Sequence, residues 1–307
     1  MSGKQVIIKH KKKPFSLNKE WHFYAFIAPW LLGFFGFIVI PMLFSLYAAF
    51  TRWNGIQMPT FTGLTNIIFM FTNDDLFWHS IRITFIFAGV SVPLNLFVAF
   101  VLAAILNRRL PGSNFFRAAF YLPSVLAGVA IFITWIWMFS PTMGLINTVL
   151  YFIGIDGPRW LLDPQTALLS IILMNVTTMG GTMLIILAGL QNIPDEQYEA
   201  ARIDGANALQ RIIYITFPGV SPVIFYCLLM GIIGALQIFV QPWVMTQGGP
   251  RNATYVYGIH LYNNAFRFFN FGYASALAWT LFVIIMVLSG LVFKSSKFWV
   301  NYGGEIS

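Results

Sequence analysis

The sequence predicts an all-α integral membrane protein with six transmembrane helices. Of its 307 residues, 58% are hydrophobic and only 9% are charged, against roughly 25% charged in an ordinary soluble domain. The mean hydropathy is +0.74, and long apolar stretches recur along the chain. So few charges cannot cover a water-facing surface, which excludes a soluble enzyme. The high content of apolar and aromatic residues likewise excludes a disordered chain.

Six stretches supply the about 20 mostly apolar residues that a transmembrane helix needs. They lie at 23–50, 81–106, 118–140, 166–190, 219–241 and 271–293. In the long first stretch, Pro29 and Pro41 predict a kink or mark its ends. This stretch is too long for the apolar part of a cleaved signal peptide, and no small-residue cleavage site accompanies it.

Lysine and arginine concentrate in the tails and in alternate loops, which sets a predicted orientation. On the side of the N-terminal tail lie Lys4, Lys9, Lys11, Lys12, Lys13, Lys19, Arg108, Arg109, Arg117, Arg202, Arg211, Lys294 and Lys297. On the other side lie Arg52, Arg82, Arg159, Arg251 and Arg267. The positive-inside rule therefore predicts cytoplasmic termini, with tails at 1–20 and 294–307 around a transmembrane domain at 21–293. The net charge of +8 then indicates topology and attraction to the lipid bilayer, and no nucleic acid is expected as a partner.

The ten acidic residues all lie outside the predicted spans. They are Glu20, Asp74, Asp75, Asp156, Asp163, Asp195, Glu196, Glu199, Asp204 and Glu305. Ion-coupled transporters usually place ionisable groups near the membrane midplane, although backbone carbonyls also coordinate Na⁺. The distribution disfavours an ion-coupled secondary transporter of a neutral polar solute, which stays open as the alternative. Rings of charge suited to an ion channel are also missing.

Sequence motifs for chemistry are missing as well. The phosphate-binding pattern G-x-x-x-x-G-K-[ST] does not occur, so no ATP site of that kind is expected. The single cysteine, Cys227, excludes an intrachain disulfide framework, and the four histidines are scattered rather than paired at metal-ligand spacing. We therefore predict no catalytic residue, no metal site and no cofactor in this chain, which disfavours a membrane-embedded enzyme.

Uncharged polar residues inside the spans are the candidates for solute binding. Asn175 and Thr178 fall in the fourth span, and Gln237 and Gln241 fall in the fifth, four residues apart and so on one predicted helix face. Such groups avoid lipid and should face the protein interior or a water-filled path, where they suit a neutral, hydroxyl-rich solute. The alternative is interhelical hydrogen bonding, worth about 0.6 kcal/mol each. Others of this kind are Asn95, Thr177, Thr182, Trp279 and Thr280, and Gly180 and Gly181 predict close helix packing.

The loop at 191–218, between the fourth and fifth spans, has a helical composition. Pro194 suits a first helical turn, and the two acidic residues after it complement the helix dipole. Gly205 predicts a left-handed C-terminal cap, and a second helical stretch runs from Ala206 to Ile215. Such a segment either lies on the membrane surface or packs into a groove on a partner.

The spacing in this loop resembles the EAA loop of ABC-importer permease subunits. Glu199-Ala200-Ala201, Gly205, Ile215 and Pro218 match its spacings, with Phe217 where leucine is usual. Asp204-Gly205-Ala206 resembles the residues at this place in the sugar-uptake branch of these permeases. Further similarity to MalF-like permeases for oligosaccharides, multiple sugars or glycerol phosphate covers roughly residues 20 to 300. Parts of that similarity are Phe116-Arg117, Tyr121-Leu122-Pro123, Trp135, Thr246, Gly248-Gly249-Pro250, Thr254, Ala265-Phe266, Gly272 and Ala274-Ser275-Ala276.

This resemblance implies a MetI-like permease fold in a bacterial cell membrane and a multi-subunit importer. The implied partners are a second homologous permease, two ATPase subunits that carry ATP and Mg²⁺, and an extracytoplasmic solute-binding protein. It implies that the loop couples the chain to the ATPase through Glu199, Ala200, Ala201, Asp204, Gly205, Ile215 and Pro218. A solute that is an amino acid, a peptide or an inorganic ion remains possible within the same class.

Overall fold

A computed structural model describes residues 17–108, 111–126 and 128–301, and the part described is almost entirely helical. The early lysine tail, Arg109 and Glu305 lie outside these residues. The α-helices are α1 Leu17–Phe34, α2 Ile40–Ala49, α3 Thr65–Thr72, α4 Asp75–Asn107, α5 Ser113–Val125, α6 Gly128–Met138, α7 Leu145–Phe152, α8 Ala167–Thr177, α9 Gly180–Gln191, α10 Asp195–Ile203, α11 Ala208–Arg211, α12 Phe217–Leu236, α13 Val240–Thr246, α14 Tyr257–Tyr262 and α15 Phe271–Ser296. Strands β1 Thr51–Arg52 and β2 Thr60–Phe61 pair antiparallel.

Four continuous helices are long and apolar enough to cross a membrane. They are Phe23–Ala49, α4, Ala208–Leu236 and α15. Two further crossings exist if each of two bent pairs forms one span: α5 with α6, bent by 101°, and α8 with α9, bent by 45°. The described chain therefore offers four to six spans.

The first predicted span does not end at its prolines but runs past both as one continuous helix. α1 continues through a π-helical turn, Phe35–Val39, into α2, which carries Pro41 in its first turn. In that turn the N–H of Ile40 donates to the carbonyl of Phe35, five residues back. A π turn inserts one residue into the helix without breaking it, so the helix passes the proline that lacks an N–H donor.

Helix α4 lies at the centre of the packing. Its buried residues contribute to three apolar clusters, represented by Phe87, Ala103 and Phe77. The first cluster also draws on α6, α8, α12 and α13, the second on α9 and α12, and the third on α2, α3 and α15. This position makes α4 one wall of the cavities described below.

A buried polar cluster ties the start of α4 to α14 and α15. Asp74 caps α4, since its carboxylate accepts a hydrogen bond from the N–H of Phe77 at 3.0 Å. The same carboxylate accepts from the Tyr273 hydroxyl and lies 2.9 Å from Nε2 of His260. Burial lowers the pKa of His260 below its usual value, and the Asp74 carboxylate opposes that shift without reversing it.

Candidate functional site

A cavity of about 530 Å³ opens between α4, α8, α9, α12 and α13. We call it the central cavity. Its polar lining residues are Ser91, Asn95, Asn175, Thr178, Thr182, Tyr226 and Gln241. Phe87, Phe132 and Phe239 add aromatic surface. None of the described lining residues is a carboxylate, a lysine or an arginine, so the cavity presents amides, hydroxyls and ring faces to a solute.

Three of the four predicted binding residues meet in the central cavity. The side-chain amide of Asn175 in α8 donates to Oε1 of Gln241 in α13 at 3.4 Å. The Thr178 hydroxyl donates to the carbonyl of Asn175 at 2.7 Å. The long contact between the two amides leaves hydrogen-bonding capacity for a ligand, because each amide offers two donors and an acceptor.

The prediction that Gln237 and Gln241 share one helix face is wrong. α12 ends at Leu236, and the chain makes a break before α13 begins at Val240. Gln237 caps the end of α12 and is exposed, whereas Gln241 lines the cavity. The spacing of four residues places side chains together only within an unbroken helix, so the break separates the two.

The bend between α8 and α9 shapes one wall of the cavity. The hydroxyls of Thr177 and Thr178 donate to the carbonyls of Met174 and Asn175, at 2.6 Å and 2.7 Å. These carbonyls lie three residues back, and such local bonds compete with the regular ladder and bend helices. The bend therefore turns Thr178 toward the cavity and starts α9 at Gly180.

At Gly180, helix α9 packs closely against the backbone of α5. A Cβ added there would lie 2.3 Å from the carbonyl oxygen of Phe120, whereas one added at Gly181 would meet nothing within 4 Å. The expected close packing therefore holds for Gly180 and not for Gly181.

The loop at 191–218 forms helix α10, as predicted, and ends it in the predicted way. Gly205 has φ +78°, the N–H of Gly205 donates to the carbonyl of Arg202 at 3.1 Å, and that of Ala206 donates to Ala201 at 2.9 Å. These two bonds form a Schellman motif, in which the left-handed residue bonds to the carbonyl three residues back and the residue after it bonds to the carbonyl five residues back, so that Gly205 lies four positions after Ala201. The spacing between Ala201 and Gly205 is therefore a property of the helix end.

Helix α10 has an inner and an outer face. Tyr198 and Ala201 are half-buried, and the Tyr198 hydroxyl is 3.1 Å from the Thr216 hydroxyl. Glu199 and Ala200 are exposed, together with Ile203, whose side chain is 87% exposed. These three exposed residues make up the outer face of α10.

The second helix of the loop differs from the predicted stretch at 206–215. It begins at Ala208, where Asn207 and Gln210 form a reciprocal capping box at 2.8 Å and 2.9 Å. It then runs through a π turn, Ile212–Thr216, into α12 without a break, so Pro218 lies in the first turn of α12. Ile215 packs against the apolar cluster of α4 and α9, and Asp204 is the exposed C-cap of α10.

Two polar residues that line the central cavity, Ser91 and Tyr226, are not among the candidates for solute binding that the sequence indicated. Ser91 precedes Asn95 by four residues in α4 and shares its face, which is a readable signal. Tyr226 gives no comparable signal, because a tyrosine in an apolar span is common at membrane interfaces.

Comparison with known proteins adds independent findings. Residues 113–301 match the family described as "Binding-protein-dependent transport system inner membrane component". The chain is 42% identical to the probable ABC transporter permease protein YesP of Bacillus subtilis (strain 168), over 91% of each chain. It is 36% identical to the lactose transport system permease protein LacF of Rhizobium radiobacter, covering 89% of this chain and 93% of that one.

A solved structure supports the fold. A chain of the bacterial alginate ABC transporter, in complex with an alginate pentasaccharide-bound periplasmic protein, superposes with a TM-score of 0.80 at 22% identity. The match covers 91% of this chain and 95% of that chain. The family match spans most of the described helices, including the cavity wall of α8 and α9 and the whole of the 191–218 loop. This chain belongs to the family of binding-protein-dependent transport system inner membrane components.

Proposed function

We propose that this chain is the permease subunit of an ATP-driven ABC importer for a carbohydrate. The observation that carries the proposal is the family match over 113–301, because it includes both the loop with α10 and most of the cavity-lining helices. The relative named for lactose transport supports a sugar as the solute. The amides and aromatic rings of the central cavity suit sugar hydroxyls and the apolar faces of sugar rings.

The chain supplies half of the translocation path in this proposal. Asn175, Thr178 and Gln241 donate and accept hydrogen bonds to the passing sugar, whereas the exposed Gln237 has no such role. A second homologous permease forms the other half, and an extracytoplasmic binding protein delivers the sugar. Both termini lie in the cytoplasm. The permease domain at 21–293 contains six spans, and each bent helix pair counts as one of them.

The outer face of α10 docks on one of two ATPase subunits, which hold ATP and Mg²⁺. Glu199 makes the charged contact, Ala200 allows close approach, and Gly205 fixes where α10 ends. Ala201, Ile215 and Pro218 hold the loop against the membrane helices, and Asp204 lies at the rim of the contact. Motion of the ATPase pair is thereby passed to α12, since the second helix of the loop continues into it.

Affinity purification of the full chain from its native membrane tests this assignment. We expect a second permease and an ATPase to copurify. In proteoliposomes, the purified complex should take up at least one of a panel of labelled disaccharides, and this uptake should require enclosed ATP. In the Glu199→Lys variant, ATP hydrolysis should no longer drive uptake while the binding protein still docks. Uphill uptake by this chain alone on an ion gradient would contradict the proposal.

A further inference from the structure

A second cavity, of about 570 Å³, lies behind α10, where this helix meets the ends of α4 and α9. We call it the arginine cavity, because Arg108, Arg202 and Arg211 all line it. Its other polar lining includes Asp195, Tyr198 and Thr216, and it shares no lining residue with the central cavity. It is thus a separate space on the inner face of α10.

The three arginines come from three different elements and converge. Arg108 follows the end of α4, Arg202 lies in the last turn of α10, and Arg211 ends α11. Asp195 is the one carboxylate in the described lining. The cavity therefore carries a net positive charge, and its field attracts anions.

The positive charge of the arginine cavity is not neutralised within the described chain. Among residues 17–108, 111–126 and 128–301, the ion pair found joins His260 to Asp74, far along the chain from this cavity. At the end of α4, the carbonyl of Leu106 accepts a hydrogen bond from Nη2 of Arg117 at 3.1 Å, and Arg117 does not line the cavity. Guanidinium groups without partners retain all of their donors for a ligand.

Hydrogen bonds hold the walls of the cavity in place. The Tyr198 hydroxyl donates to Oγ1 of Thr216 at 3.1 Å, and Thr216 in turn donates to the carbonyl of Arg211 at 3.2 Å. This chain of bonds ties α10 to the start of the fifth span. A ligand in the cavity would therefore touch α10 and two membrane helices at once.

We propose that the arginine cavity binds a phosphate-bearing anion. Arginine forks match phosphate oxygens in pairs, and the volume falls in the range of roughly 300–1,000 Å³ typical of small-molecule sites. The phosphate comes either from the headgroup of an anionic lipid, such as phosphatidylglycerol, or from a soluble phosphate ester. The bound anion bridges α10 to α4 and sets how firmly α10 is held. This inference rests on the residues that line the arginine cavity and not on which solute is transported.

The test measures binding by the full-length chain, purified in a neutral detergent. The probes are short-chain phosphatidylglycerol and glycerol 3-phosphate, with short-chain phosphatidylcholine as the zwitterionic reference. Wild-type protein should bind at least one anionic probe, and R108Q/R202Q/R211Q should bind it about tenfold more weakly or worse. The matched control, R82Q/R159Q/R251Q, removes the same net charge from exposed positions outside the cavity and should bind like wild type.

The probes that bind identify the source of the phosphate group. Binding of phosphatidylglycerol alone identifies a lipid headgroup, and binding of both anionic probes identifies the phosphate group as the recognised element. The charge-preserving variant R108K/R202K/R211K should keep part of the affinity, which separates loss of charge from loss of folding. The proposal is overturned if neither anion binds, or if R108Q/R202Q/R211Q and the control lose affinity equally, because the arginines then serve orientation in the membrane only.

Discussion

At the scale of single residues, backbone conformation explains why the 191–218 loop needs the residues that it has. Gly205 occupies the left-handed region, and a Cβ there would meet nothing within 4 Å. Glycine is therefore favoured by the backbone conformation and not by lack of space. β-branched residues in this region cost about 1–2 kcal/mol, whereas asparagine tolerates it.

Replacing Gly205 with valine should loosen the end of α10 and reduce the uptake obtained per ATP hydrolysed. Replacement with asparagine should keep most of it, because asparagine adopts the left-handed conformation. The ratio of uptake to ATP hydrolysis in proteoliposomes of the full complex measures this difference. Equal ratios for the two variants would contradict a conformational role.

Asn175 and Gln237 form a matched pair that tests the central cavity. Asn175→Ala removes an amide that lines the cavity, and Gln237→Ala removes an exposed amide outside it. A lost hydrogen bond of about 0.5–1.5 kcal/mol should raise the KM for sugar uptake roughly two- to tenfold in the first variant. The second variant should leave KM unchanged. An equal effect of both substitutions on KM would contradict a role of Asn175 in binding the sugar.

At the scale of elements, the bends and breaks of helices shape the site. The 45° bend between α8 and α9 and the break between α12 and α13 each place one amide in the central cavity, Asn175 and Gln241. A straight fifth span would have presented Gln237 beside Gln241. Helix breaks thus allow mostly apolar spans to present polar side chains to the central cavity.

Two neighbouring glycines test the packing of α9 on α5. Gly180→Ala forces a contact with the backbone of Phe120, and overpacking of this kind costs about 1–3 kcal/mol. Gly181→Ala meets open space and should be neutral or slightly stabilising, since alanine favours helix. Thermal unfolding of the purified protein should show a lower midpoint for the first variant alone. Matching midpoints would mean that the two helices separate without cost.

At the scale of the whole molecule, residues distant in sequence are joined through buried polar contacts. Asp74, His260 and Tyr273 connect the start of α4 with α14 and α15. Burial lowers the pKa of His260, so the unfolded state binds a proton more readily than the folded state. The stability from neutral His260 is complete above its unfolded pKa and is lost as the pH falls below about 6.5.

Unfolding midpoints measured between pH 7.5 and 5.5 should show this dependence on His260. The wild-type protein should lose stability with falling pH, by at most about 1.4 kcal/mol per pH unit for one proton. His260→Gln should have a shallower slope, because the titrating group is gone. The control His79→Gln removes a half-buried histidine whose Nε2 lies 2.8 Å from the carbonyl oxygen of Asn252 and which has no carboxylate partner among the described residues, and it should keep the wild-type slope. An unchanged slope in His260→Gln would refute the link.

The sequence by itself determined the membrane class, the family resemblance and the end of α10 at Gly205. These features depend on composition or on hydrogen bonds that span a few residues, as the bonds from Gly205 and Ala206 do. Only the tertiary structure decided that Gln241 lines the central cavity while Gln237 does not, that Gly180 packs closely, and that three arginines converge behind α10. Each of these depends on where a helix breaks and which helix it then meets, and no local pattern records such distant contacts.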